Sequence, residues 1–264
     1  MPEIFGLDAY SPQQVAARVS EVGVAKARLP LLTLGLLGLL AGAFIGLGAL
    51  MYTLVASDPG LGFAAKRLLG GLVFSLGLVM VSVAGAELFT GNNLIVMAWA
   101  AGRVGTAELL RNWGVVCLAN LLGAAGMALL AWRSGHGDLL QGAVGQTVIE
   151  IARAKTQLPW DVALVRGMLC NVLVCMAVWM AMAGRSVTDK VLAIVFPITA
   201  FVAAGFEHSI ANMYFFPLAL LLGEPLSLQA MLGNLLPVLA GNIVGGSVLV
   251  ALVYWLIYLR RAPS

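Results

Sequence analysis

Two stretches decide how this chain folds: Ala84-Gly85-Ala86-Glu87-Leu88-Phe89-Thr90-Gly91 and Ala204-Gly205-Phe206-Glu207-His208-Ser209-Ile210-Ala211. Each sets a carboxylate inside an apolar run, residues 68–102 and 191–222, that is too long for one straight membrane helix. At about 1.5 Å per residue, a continuous helix over either run would extend to around 50 Å. The hydrocarbon layer is only about 30 Å thick, and about 20 residues cross it. Neither run is long enough for two spans and a turn. The lengths therefore predict a single crossing with a break in it, the helix stopping near Glu87 or Glu207 and resuming after a short irregular stretch. A membrane tolerates such a break where the freed backbone groups are buried in protein or line a wet cavity. A carboxylate at that depth marks a pathway.

Apolar segments over 31–55, 112–132, 162–183 and 231–259 bring the total to six spans, an all-helical integral membrane fold. Composition agrees. With 61% hydrophobic and 10% charged residues and a mean hydropathy of +0.98, the solvent of this chain is lipid. The net charge of +3 is spread over ends and loops, with no patch for nucleic acid. Cys117, Cys170 and Cys175 sit within apolar runs without metal-ligand spacing and read as small helix-packing residues. No His or acidic cluster has metal or haem spacing, and His136 is the only histidine besides His208. No metal, cofactor or enzymatic activity is expected on these grounds.

The first thirty residues lack the basic start and apolar run of a cleavable signal peptide. Ser11-Pro12 instead reads as an N-cap followed by proline at the first helical position. Val15, Val19, Val22 and Leu29, with Arg18, Glu21, Lys26 and Arg28, predict an amphipathic helix along the membrane surface. Such a helix either anchors the first span or acts as a flap at a pore mouth.

An internal repeat organises the spans. Ala25-Lys26, Leu29-Pro30, Gly38 and Leu40 recur in identical spacing as Ala154-Lys155, Leu158-Pro159, Gly167 and Leu169. The interrupted segments match through Ala84, Gly85, Glu87 and Asn92 against Ala204, Gly205, Glu207 and Asn212, and Asn120 in the third span answers Asn242 in the sixth. The chain is thus one transmembrane channel domain over 1–264, with an amphipathic N-terminal helix in 1–30, a first repeat over 31–133 and a second over 154–260. Because three spans is an odd number, the second repeat enters the membrane from the opposite side. Inverted repeats with paired broken helices put the transport site near the midplane, where the breaks approach each other.

Loop charges favour both termini in the cytoplasm: nine Lys and Arg (Arg18, Lys26, Arg28, Arg103, Arg111, Arg185, Lys190, Arg260 and Arg261) then face inward and six (Lys66, Arg67, Arg133, Arg153, Lys155 and Arg166) face outward. The repeats differ at the break itself, where only the second carries an imidazole. The ordinary histidine pKa, about 6.5, lies nearest physiological pH. His208 could take up a proton, pair with an anion, or pass the proton to a weak acid. The structural alternative is a buried, hydrogen-bonded His–Glu pair. The asymmetry argues against it, because both glutamates recur and the histidine does not. Glu87 and Glu207 are expected to accept freed backbone N–H groups, Lys26 and Lys155 to attract anions at the two mouths or to snorkel there, and Asn120 and Asn242 to join spans.

Glu207-His208-Ser209-Ile210-Ala211-Asn212-Met213 with the preceding Gly205, Glu87-Leu88-Phe89-Thr90-Gly91, and Gly184-Arg185-Ser186-Val187-Thr188-Asp189-Lys190 closely resemble the formate–nitrite transporter family, from about Ser11 to Arg261. The resemblance implies an aquaporin-like protomer, a homopentamer in which every protomer has its own pore, and passage of small monovalent anions of weak acids. By position, His208 resembles the central pore histidine, Thr90 its hydrogen-bonding partner, Asn171 the pore asparagine, and Lys26 and Lys155 the vestibular lysines. Phe74, Leu78, Leu88 and Phe201 resemble the apolar constrictions above and below the histidine; Phe74 and Leu78, four apart, share a helix face.

An apolar constriction excludes hydrated ions, so the implied crossing species is a dehydrated anion briefly paired with a proton, or the neutral acid. Phe206 and the Gly184 to Lys190 stretch look most like formate channels, while Gly91-Asn92-Asn93 departs from them. Formate is expected first, and nitrite or hydrosulfide second. Lys155 or Lys26 would draw the anion in, Thr90 and Asn171 orient it, and His208 supply or stabilise the proton. The implied partners are the anion, protons, the lipid bilayer and other copies of the chain, and the implied location is a bacterial cytoplasmic (inner) membrane. A pore for neutral solutes is the alternative; it predicts no competition among anions.

Overall fold

The computed structural model describes residues 9–260; Arg261, counted above among the inward-facing cations, lies outside them. The elements in chain order are α1 (Pro12–Ala27), α2 (Leu31–Ala56), α3 (Phe63–Phe74), α4 (Leu76–Met80), α5 (Val96–Ala100), α6 (Thr106–Arg133), α7 (Ala143–Thr156), α8 (Trp160–Ala183), α9 (Val187–Ala204), α10 (Ser209–Leu221), α11 (Leu228–Ile243) and α12 (Val253–Tyr258). Six segments are long and apolar enough to cross a membrane: Leu31–Ala56, Phe63–Gly85, Thr106–Arg133, Trp160–Ala183, Val187–Ala204 and Leu228–Tyr258.

Both long apolar runs are interrupted. After α4 comes a π-helical turn, Val81–Gly85, followed by extended backbone from Ala86 and a 3-10 turn, Gly91–Ile95, that leads into α5. The second interruption separates α9 from α10. Gly85 (φ +84°) and Gly205 (φ +76°) sit in the left-handed region at the two breaks, a conformation that glycine adopts without a Cβ penalty. That is the local reason each helix stops just before its glutamate.

One element was not legible in the sequence. Helix α7 stands to α8 as α1 stands to α2, with Lys155 and Lys26 in the last turns of the two short helices. Its apolar stripe is narrow: Val144, Val148 and Ala152 are buried, each four residues from the next. A bidentate pair between Arg153 and Glu224, 2.6 Å at both contacts, ties α7 to the turn after α10. That hydrogen bond holds the Glu224 carboxyl below its ordinary range.

Glycines set how closely the spans approach. A Cβ added at Gly42 or Gly123 would collide with the Asn120 or Leu39 carbonyl oxygen across the α2–α6 contact. Gly241 and Gly245 stand likewise against the Leu164 and Met168 carbonyls of α8. Packing without a methyl between backbones is the main source of helix association in lipid. Gly126, on the same helix as Gly123, would meet nothing within 4 Å.

A pair of substitutions separates packing from helix propensity. Gly123→Ala should lower unfolding stability by about 1–3 kcal/mol through overpacking. Gly126→Ala should leave stability unchanged or raise it by about 0.5–1 kcal/mol. Thermal unfolding of the two purified variants in detergent measures both signs.

Candidate functional site

Each break is held by one asparagine from the neighbouring span. Asn120 donates through Nδ2 to the carbonyls of Gly38 (2.7 Å) and Glu87 (2.9 Å) and accepts the Phe89 N–H at 2.9 Å. Asn242 repeats this, donating to Gly167 (2.8 Å) and Glu207 (3.1 Å) and accepting the Ser209 N–H at 3.1 Å. The glutamates' own N–H groups donate to Leu37 and Arg166 carbonyls, at 3.2 Å in each case. The freed backbone groups are therefore taken by asparagine amides and by carbonyls of the neighbouring spans, which corrects the expectation that the Glu87 and Glu207 carboxylates accept them.

The carboxylates instead close two matching side-chain networks. Glu87 Oε1 lies 2.9 Å from Lys26 Nζ and its Oε2 accepts from Asn92 Nδ2 at 2.7 Å. Glu207 Oε1 accepts from Lys155 Nζ at 2.9 Å and its Oε2 from Asn212 Nδ2 at 2.8 Å. Asn92 and Asn212 in turn donate to Asn112 and Asn234, which donate back to the Lys26 and Lys155 carbonyls. Burial at such depth costs an unpaired charge heavily, and pairing neutralises it. Lys26 and Lys155 thus carry compensated charge at the two mouths. Asn112 and Asn234 escaped notice there; their matching places in the third and sixth spans were the available signal.

Where the networks match, the residues between them do not. His208 is the N-cap of α10, and its Nδ1 accepts the Ala211 N–H at 3.1 Å. Nδ1 therefore keeps its lone pair, the proton sits on Nε2, and Nε2–H donates to Thr90 Oγ1 at 3.1 Å. Thr90 precedes the 3-10 turn of the first break without capping it through its side chain, so its hydroxyl is free for this bond. The Phe201 ring stacks on the imidazole, centroids 5.8 Å apart, and Phe74 meets Phe201 edge-on at 5.7 Å.

Two cavities with no shared lining residue among those described flank this point, one lined by His208 and the other by Leu88 and Gly91 near Thr90. The larger, about 400 Å³ and on the α1 side, is lined by Lys26, Glu87, Leu78 and Leu88 among others. The smaller, about 250 Å³ and on the α7 side, is lined by Lys155, Glu207, Phe74, Phe201 and His208. Phe74 and Leu78, one turn apart, therefore border different cavities. Asn171 borders neither: its Nδ2 donates to the carbonyls of Thr90 (3.2 Å) and Asn242 (2.6 Å) and to Asn93 Oδ1 (3.1 Å), tying the first break to the asparagine that holds the second.

Residues 13–256 match the sequence family described as formate/nitrite transporter. The chain belongs to the formate/nitrite transporter family. It is 38% identical to the formate channel FocA of Escherichia coli (strain K12), with 96% of both chains covered. Among solved structures it is similar to a pentameric formate channel with formate bound (TM-score 0.81, 37% identity, 87% of this chain and 98% of that chain). It is also similar to an FNT family ion channel (TM-score 0.85, 32% identity, 92% and 98%). Formate/nitrite transporter membership makes this a membrane transport protein and not an enzyme.

For this transporter the buried ion pairs should behave as coupled units. Lys155→Met and Glu207→Gln should each destabilise by about 3–5 kcal/mol, since either strands the partner. The double variant should cost well under the sum, and denaturant unfolding of all four proteins in detergent checks the cycle.

Proposed function

We propose that this chain is a channel for small monovalent anions of weak acids, formate foremost, with pH-dependent passage past His208. The observation that carries the proposal is the His208 Nε2–H bond to Thr90 Oγ1, with His208 lining the α7-side cavity and Leu88 and Gly91, close to Thr90 in the chain, lining the separate α1-side one. Because the ring donates to Thr90, the threonine's own O–H is free to donate to an anion leaving either cavity. Loading a second proton on the ring requires the Ala211 N–H···Nδ1 bond to open, and the bond re-forms when the ring, having protonated the anion, returns to the Nε2–H tautomer. The neutral acid then crosses the apolar collar of Phe74 and Phe201 on one side and Leu78 and Leu88 on the other, where a hydrated ion would not. Asn171 holds the Thr90 backbone in place for this step.

The similarity to a formate-bound pentameric channel supports formate as substrate and a homopentamer as the assembled form. Nitrite is the second substrate of this reading. Its setting is a bacterial cytoplasmic membrane with both ends inside. In support, α1 gathers cations on its own face: Arg103 donates to Ser20, Arg111 to the Ala27 and Leu29 carbonyls, and Arg185 stacks on Tyr10. The α1 side is then cytoplasmic and the α7 side external.

In proteoliposomes, labelled formate uptake should rise from pH about 7.5 to about 5.5, because a higher proton concentration loads the second proton on the His208 ring more often. Nitrite should compete and lactate should not. In His208→Asn, uptake should fall at least about tenfold and lose most of its pH dependence. Undiminished, equally pH-sensitive flux in that variant removes the role of His208, and no anion uptake by the wild type favours a neutral-solute pore.

A further inference from the structure

The two cavities differ in a way that the inverted repeat makes visible. In the first break nothing approaches Gly85, and a Cβ built there would meet no atom within 4 Å. In the second, a Cβ on Gly205 would collide with Nη2 of Arg67, a residue contributed by α3 of the other repeat. Arg67 Nε donates to the Ala203 carbonyl at 2.8 Å, which fixes the guanidinium over the left-handed turn just before Phe206 and Glu207. Arg67 borders the α7-side cavity together with Lys155, Glu207 and His208. Its Nη groups have no acceptor, and the guanidinium has no carboxylate within salt-bridge distance, among the described residues. Lys155 in the same cavity is already paired with Glu207, and Arg166, which also borders that cavity, has no side-chain hydrogen bond to fix it among the described residues. At the position equivalent to Arg67 in the second repeat stands Val187; Arg18 and Lys190 border the α1-side cavity, but no carbonyl holds either of them there among the described residues.

We propose that Arg67 is the anion-docking residue of the α7-side mouth: a guanidinium immobilised on the broken helix by the Ala203 carbonyl, offering its Nη donors to a small carboxylate or similar oxyanion before it reaches His208. The proposal rests on the anion-channel reading above. A guanidinium suits the task because it stays charged and its paired N–H donors match the two oxygens of a carboxylate. A fixed cation in a narrow mouth with low-dielectric walls raises the local anion concentration without lodging a charge at the constriction. Gly205 serves the same end, since any side chain there would displace the guanidinium.

The test measures half-saturating labelled formate on each side separately, in right-side-out and inside-out membrane vesicles. The proteins are wild type, Arg67→Gln, which retains a donor for Ala203, and Arg67→Lys, which retains the charge. In Arg67→Gln the value on the α7 side should rise about three- to tenfold while that on the α1 side stays within about twofold. Arg67→Lys should recover most of the loss. Raising ionic strength should shift the wild-type α7-side value toward that of Arg67→Gln, a result that needs no variant to fold. An unchanged value in Arg67→Gln, or an equal shift on both sides, overturns the docking role while leaving the channel reading intact. Absence of saturable formate uptake by the wild type overturns the channel reading and the docking role with it.

Discussion

Interrupting a helix inside a bilayer frees backbone groups where water cannot reach them, and this structure depends on how those groups are satisfied. Asn120 and Asn242 each settle two of them at one break, a carbonyl and an N–H, and anchor the amide to a carbonyl of the neighbouring span. A buried donor or acceptor left unmade costs about 1–3 kcal/mol, so one amide per break decides whether the interrupted conformation is tenable. The reach of that amide sets the next constraint. Asn120 lies on α6 and binds the Gly38 carbonyl of α2, which is possible only because Gly42 and Gly123 let those helices touch backbone to backbone. Close packing, the break and the position of the glutamates are thus one linked arrangement, made twice.

Scaffold and chemistry are divided by the repeat. Asparagines, glutamates and lysines are duplicated, whereas position 88 is leucine and its counterpart 208 is histidine. A buried charge needs a partner wherever it occurs, so the Lys–Glu–Asn networks must appear in both halves, and they carry little net charge to either cavity. Chemistry enters through the residues that differ. His208 caps α10 through Nδ1, which commits its other nitrogen to Thr90, and Thr90 is available because its own half-helix begins as a 3-10 turn without a side-chain cap. Two unlike ways of starting a half-helix meet across the interface between repeats and make one donor chain.

Much of this was legible in the chain itself. Six apolar segments, two of them too long, an internal repeat of odd span number and a carboxylate in each long segment determined an inverted-repeat, all-helical membrane protein with two broken helices, because bilayer thickness and backbone hydrogen bonding leave few other solutions. The local sequence also marked where the helices stop, since Gly85 and Gly205 are the residues suited to the left-handed turn. Helix α7 stayed hidden because its buried stripe of Val144, Val148 and Ala152 is short and flanked by polar residues.

Tertiary structure alone decided who pairs with whom. Lys155 and Glu207 are 52 residues apart, Thr90 and His208 118, and Arg67 and Ala203 136. Linear spacing orders residues along one helix, but it cannot say which of several buried donors reaches a given acceptor once spans pack. That is why the backbone groups at the breaks were assigned to glutamates when asparagines hold them. It is also why the carboxylate partner of each lysine is found only in the fold. Charge in a membrane is defined by its partner, and only the folded chain brings the partners together.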